Sequence, residues 1–239
     1  MRHLFTNSSK VLTASIVASF LYVSTAYAVP TMQLKVEDLT NGSTTIIMDN
    51  GAGDTSAIEG LLNSVINGVG GNIFVSIGTS KPLGPNSNLV AGLDLNNVLI
   101  TSTAAVDLRI TLTDVDYQLS SPNGTLMASV GGTLGQSVLN SAHFDYYFDS
   151  TNTAFNTAGA LHLASATHTG PGAFAENIGS AAALGTNNPF ALTQIANLHL
   201  EAGQIISYDS DLNVVPEPSI LVLLGLGLLG FAGSRRLNK

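Results

Sequence analysis

Apolar and polar positions alternate along most of the interior of the chain. Met32, Leu34 and Val36 are interleaved with Gln33, Lys35 and Glu37, and Val106, Leu108, Ile110 and Leu112 with Asp107, Arg109 and Thr111. A period of two puts one set of side chains on a buried face and the other in solvent, which predicts half-buried β-strands. Similar short runs occupy 44–48, 73–78, 93–100, 125–130, 142–148, 160–166, 191–200 and 204–208. Asn41-Gly42, Asn50-Gly51, Asn67-Gly68 and Asn123-Gly124 fall between runs. Asn-Gly accepts the left-handed backbone of tight hairpin turns. About ten short strands with regular turns predict an all-β fold, a single jelly-roll-like β-sandwich.

One stretch reads two ways. Ile58, Leu61, Leu62, Val65, Ile66 and Val69 fit a helical stripe, with Asp54 as an N-cap. The same residues also form half of a hairpin, 61–67 and 73–78, across a glycine-rich turn, and the strand reading is preferred. The segments 81–88, 152–156 and 170–188 carry proline, asparagine or glycine and read as irregular loops.

The two ends follow another pattern. Arg2 and Lys10 precede a nearly uncharged stretch that closes on Ala26-Tyr27-Ala28. Positive region, apolar region and small-residue site make a secretory signal peptide over residues 1–28. At the other end Pro216-Glu217-Pro218 precedes an apolar run from Ile220 to Ala232, closed by Arg235-Arg236. Nine residues of that run are Leu, Ile, Val or Phe, which favours membrane insertion by roughly 3–5 kcal/mol before glycine penalties. The prolines hold the preceding backbone extended, and the arginines suit the cytoplasmic side of a bilayer. A hydrophobic sorting helix over 215–239 and a secreted domain over 29–214 complete the predicted organisation.

Proline–glutamate–proline, a Leu/Gly-rich block and a basic end, in that order, resemble a PEP-CTERM sorting signal. The resemblance covers about the last 25 residues. It implies recognition at Pro216, Glu217 and Pro218 by an exosortase-type membrane protease, with Arg235 and Arg236 as the stop. It further implies a Gram-negative bacterium making exopolysaccharide. The precursor would be anchored in the inner membrane, and the mature protein would reach the cell surface or extracellular matrix. Gly78-Thr79-Ser80-Lys81-Pro82, Asp94-Leu95-Asn96, the run 112–117 and Gly203-Gln204-Ile205 also resemble a recurring group of PEP-CTERM proteins, with no activity to carry over. Gly225-Leu226-Gly227-Leu228-Leu229-Gly230 matches the dinucleotide-binding glycine pattern, but only nine residues follow it and none is acidic, so it reads as small residues in a membrane segment.

Charge narrows the function classes. Only 10% of the 239 residues are charged. Between the two end segments lie fifteen acids against three bases, Lys35, Lys81 and Arg109, a formal charge of −12. Such a surface does not suit nucleic acid and repels anionic polysaccharide unless cations intervene. With no cysteine there is no disulfide framework, zinc–thiolate site or cysteine nucleophile.

Asp114 and Asp116 follow one predicted strand, and Asp209 and Asp211 another. Carboxylates grouped in loops suit Ca²⁺, which takes six to eight oxygen ligands. The competing reading, and the favoured one, is that of solvated turn aspartates. Position 214 is valine where an EF-hand loop needs glycine, which removes that motif. His143, His162, His168 and His199 show no zinc-ligand spacing. No nucleophile elbow or phosphate loop occurs, so neither catalysis nor a resident cofactor is expected. Phe144, Tyr146 and Phe148 share one strand face, with Tyr147 opposite. The triplet reads as core, and as a sugar-stacking platform in the alternative. The expectation is a non-catalytic surface or matrix protein; the alternative is a secreted carbohydrate-binding module, with or without calcium.

Overall fold

In a computed structural model the alternating runs become two stacked six-stranded sheets. The structure describes residues 31–68, 71–80, 91–117, 124–180 and 189–216. The signal peptide, the loop at 81–88 and most of the sorting segment, with Glu217, Pro218, Arg235 and Arg236, lie outside them.

The strands are β1 (Gln33–Asp38), β2 (Ser43–Met48), β3 (Leu61–Asn67), β4 (Gly71–Ser80), β5 (Ala91–Ser102), β6 (Val106–Tyr117), β7 (Gly124–Leu134), β8 (Ser141–Asp149), β9 (Leu161–Thr169), β10 (Gly172–Ser180), β11 (Phe190–Leu200) and β12 (Ile205–Pro216). The first sheet runs β2-β1-β6-β11-β8-β9 and the second β10-β7-β12-β5-β4-β3. Every pairing is antiparallel. The last eight strands supply β6-β11-β8-β9 to one sheet and β5-β12-β7-β10 to the other. Two interleaved Greek keys of this kind make a jelly roll. The β1–β2 hairpin widens one sheet and the β3–β4 hairpin the other.

The core lies between the sheets. Leu34, Val36, Ile110 and Leu112 of one sheet and Leu93, Ile206, Leu212 and Val214 of the other are all completely buried. Burying a side chain of this size contributes about 1.5–3 kcal/mol. Phe144 meets Tyr208 edge-on at 5.2 Å between ring centroids. A polar chain crosses the core: the Tyr146 hydroxyl lies 2.9 Å from Ser210 Oγ, which donates to Gln194 Oε1 at 2.7 Å. It ties β8 and β11 to β12. Burial pushes the Tyr146 hydroxyl up to about 12, so it remains a neutral donor.

One ambiguity is resolved and two expectations need adjustment. Segment 61–67 is a strand, as preferred. Its burial alternates, with Leu62 and Ile66 inward, and Leu61 and Leu62 pair with Thr79 and Gly78. Segment 170–188 is not irregular throughout, because residues 172–180 form β10, paired along their length with β7. The alternation there is weak, since Ala173, Ala175 and Glu176 are exposed on an edge strand and only Phe174 and Ile178 pack on the core. Asp209 to Asn213 is not a loop. It continues β12 across a register shift between Tyr208 and Ser210, and Leu212 is completely buried.

A candidate binding groove on the outer face of the first sheet

Register aligns the outward side chains of the first sheet in rows. Lys35, Thr111, Ile195 and Asp145 are successive partners across β1, β6, β11 and β8. Glu37, Arg109, Asn197 and His143 form the next row. The loop of residues 150–160, between β8 and β9, covers the end of this face, and the Phe155 backbone N–H reaches Thr113 Oγ1 at 3.4 Å. Between loop and sheet is a groove of about 260 Å³ lined by Lys35, Arg109, Thr111, Asp145, Tyr147, Phe155, Thr157, Ile195 and Asn197.

Asp149 sets the loop. Its carboxylate accepts from the Thr151 backbone N–H at 2.9 Å, the Thr151 hydroxyl at 2.8 Å, the Thr153 N–H at 3.0 Å and Asn156 Nδ2 at 3.1 Å. Burial works to raise its pKa, but these donors together hold it below the usual carboxylate value. The loop then presents Phe155 at φ 59°, a left-handed backbone that a bulky residue adopts only under constraint. The Phe155 ring lies 5.0 Å from Lys35 Nζ.

The remaining polar groups are oriented by neighbours. Asp145 is shared by His143 Nε2 at 3.2 Å and His162 Nε2 at 3.0 Å. The His162 ring packs 5.0 Å from Tyr147. Burial, then the charge of Asp145, raises the Tyr147 pKa, with Arg109 opposing. Arg109 Nε donates to Asn197 Oδ1 at 2.9 Å, and Lys35 pairs with Glu37 at 3.3 Å. Thr111 is only 2% exposed, and its Oγ1 has no hydrogen-bond partner among the described residues.

The four aspartates named from sequence do not converge. Asp114 is completely buried, accepting from the hydroxyls of Thr31 and Ser80. Asp116 is exposed; its carboxylate accepts from Asn152 Nδ2 at 2.6 Å and its backbone N–H donates to Asn152 Oδ1 at 2.7 Å. Asp209 accepts from the Asn97 N–H at 2.5 Å, across a bulge between β5 and β12. Asp211 sits opposite Asp94. Among the described residues no three His, Asp or Glu side chains are placed to hold a metal ion.

The Asp94–Asp211 pair has a measurable consequence. Burial first, and then the charge of Asp211, pushes Asp94 up to about 6. The unfolded chain titrates near 3.9, so the fold binds this proton more tightly. The resulting stabilisation is fully present below the unfolded pKa and is lost as pH rises through about 6. Asp94→Asn is expected to raise the melting temperature at pH 7.5, to leave it nearly unchanged at pH 4, and to flatten the profile between. Thermal unfolding across that range checks it, and an unaltered slope would refute it.

Phe144, Tyr146 and Phe148 are core, as preferred. Tyr147, on the opposite face, is the aromatic that reaches the groove. Sequence reading missed Lys35, Arg109 and Phe155 as partners because they come from β1, β6 and a loop far apart in the chain. The available signal was charge: two of the only three bases between the end segments fall at outward positions of predicted strands.

Comparison with known proteins places the end of the chain. Residues 214–236 match the family of the PEP-CTERM protein-sorting motif. The chain carries a PEP-CTERM sorting signal. That signal implies an exported precursor that transits a membrane and is processed by an exosortase-type membrane enzyme. The PEP-CTERM match begins at Val214, inside β12, where Val214 is completely buried and pairs with Ala91 and Leu126. Pro216, first of the proline–glutamate–proline triplet, is the last residue of that strand.

Curated proteins yield no match. Among solved structures, TmCBM61 in complex with beta-1,4-galactotriose is similar at 12% identity over 51% of this chain and 70% of that one, TM-score 0.33. A structure bearing on promiscuous specificity of carbohydrate-binding modules from the β-sandwich superfamily shares 12% over 76% and 73%, TM-score 0.34. The enzymatically active domain of bacteriophage CBA120 tailspike protein 4 shares 12% over 70% and 21%, TM-score 0.30.

Proposed function

We propose that this is a non-catalytic surface or extracellular-matrix protein whose precursor is held in the inner membrane by its tail and released by an exosortase-type protease. The sorting motif at 214–236 carries the reading. Pro216, Glu217 and Pro218 would be the recognised triplet, the apolar run the anchor, and Arg235-Arg236 the stop. The domain division of 1–28, 29–214 and 215–239 belongs to the same proposal. Because β12 ends at Pro216, deleting residues 217–239 leaves every described strand intact. That variant is expected to fold but fail to reach the surface, while the full chain yields a mature form whose intact mass lacks Arg235-Arg236. Unchanged final location of the deletion variant would refute the proposal.

The groove supports a second reading of the exported domain, as a carbohydrate-binding module. Tyr147 and Phe155 bring two aromatic rings into the lining, the residue type that stacks on sugars, beside hydrogen-bonding groups from Asn197, Thr157 and Asp145.

A further inference from the structure

We infer that the groove on the first sheet takes a carboxylated sugar unit, a uronate within an acidic polysaccharide, with its carboxylate on Arg109 and Lys35. The inference rests on the carbohydrate-binding reading and specifies its ligand. The first ground is the distribution of charge. A region of formal charge −12 has three bases, and two of them line one groove. Asp145 also lines the groove and Glu37 pairs with Lys35, so the site is close to neutral where the rest of the region is strongly acidic. Lys35 is already engaged by Glu37, but Arg109 is not engaged by any acid among the described residues. Its Nε bond to Asn197 fixes the guanidinium plane and leaves the two terminal nitrogens for a ligand. A planar fork of two N–H groups is the geometry that a carboxylate accepts, and its strength grows in a half-buried site.

The second ground is independent of charge. The left-handed backbone at Phe155 is kept by the Asp149 network. Strain of this kind persists where its surroundings impose it, and it clusters at ligand sites. A volume of about 260 Å³ lies below that of pockets for drug-sized ligands. It suits one sugar ring, with its neighbours in the polymer continuing outside. Tyr147 and Phe155 would take the ring faces, while Asn197 and Asp145 would take hydroxyls.

The test uses the full chain and a panel of oligogalacturonate, oligoglucuronate and oligomannuronate, each beside its carboxyl-reduced neutral counterpart and beside sulfated dextran, by calorimetry. At least one uronate is expected to bind ten-fold or more tightly than its reduced form. Arg109→Ala should abolish that difference, so that the uronate and its reduced form bind the variant equally. Tyr147→Ala should weaken both forms. If Arg109→Ala does not fold, as judged by its melting transition, Arg109→Gln serves, since its amide can still meet Asn197. Equal binding of charged and reduced sugars would overturn the uronate assignment and keep the carbohydrate reading. No binding across the panel would overturn both. Equally tight sulfated dextran, insensitive to Arg109, would reduce the effect to general anion attraction and also overturn it.

Discussion

Asp149→Ala is expected to destabilise the protein by about 3 kcal/mol and to release the loop of residues 150–160 from the first sheet. The residue is 1% exposed at the end of β8, and its carboxylate satisfies two backbone N–H groups, one hydroxyl and one side-chain amide. Alanine leaves those donors to find water in a crowded turn. Losing one charged acceptor typically costs about 1.5–3 kcal/mol, and the orphaned donors add to it. Asp149→Asn retains an acceptor oxygen and should lose less. The pH profile provides a second check. The folded pKa lies below the unfolded value, so the stabilisation is present above the unfolded pKa and disappears as pH falls through the folded one. Wild type should thus lose stability in acid by an increment that the alanine variant no longer shows. Because Phe155 rides on this loop, groove ligands should bind the alanine variant more weakly at neutral pH even where it is fully folded. A variant matching wild type in both stability and acid sensitivity would contradict this account.

Gly132→Val is expected to be of similar size, roughly 1–3 kcal/mol from overpacking alone. A Cβ at this position would lie 2.3 Å from the Ser207 carbonyl oxygen, 2.7 Å from Phe174 Cζ and 2.9 Å from Tyr208 Cβ. The ring of Phe174 can turn aside, but the Ser207 carbonyl belongs to β12 in the middle of its sheet and can move only with the strand. Position 131 is the control. There the nearest heavy atom to a new Cβ would be 3.6 Å away, an ordinary contact, so Gly131→Ala should cost well under half as much. Equal melting temperatures for the two variants would show that β7 and β12 are not packed as closely as described.

The jelly roll was legible because it is built from alternating strands. In 32–37 and 106–112 the period of two states which apolar side chains are inside, and all of them are buried, although Thr111 on the other face is buried as well under the 150–160 loop and its neighbours. Legibility fails where burial and alternation part. Strand β10 lies at a sheet edge with small exposed residues, so its pattern is faint, and its identity comes from nine residues of pairing with β7. The aspartates of β12 looked like turn residues because they are polar, although a strand with one solvent face accepts polar side chains at every second position.

Sequence alone established the export signal, because a motif of that kind is contiguous: triplet, apolar run and terminal arginines follow one another in the chain and are recognised without a fold. It also established the all-β class, through the spacing of apolar residues. Only the tertiary structure decided where charge is concentrated. Lys35, Arg109, Tyr147 and Phe155 are separated by up to 120 positions in the chain, and they meet because β1, β6, β11 and β8 are neighbours in one sheet and a loop folds back over them. Pairing between strands distant in sequence brings together side chains whose proximity no local pattern records, so a chain acidic as a whole can set two of its few cations beside one carboxylate in a single groove.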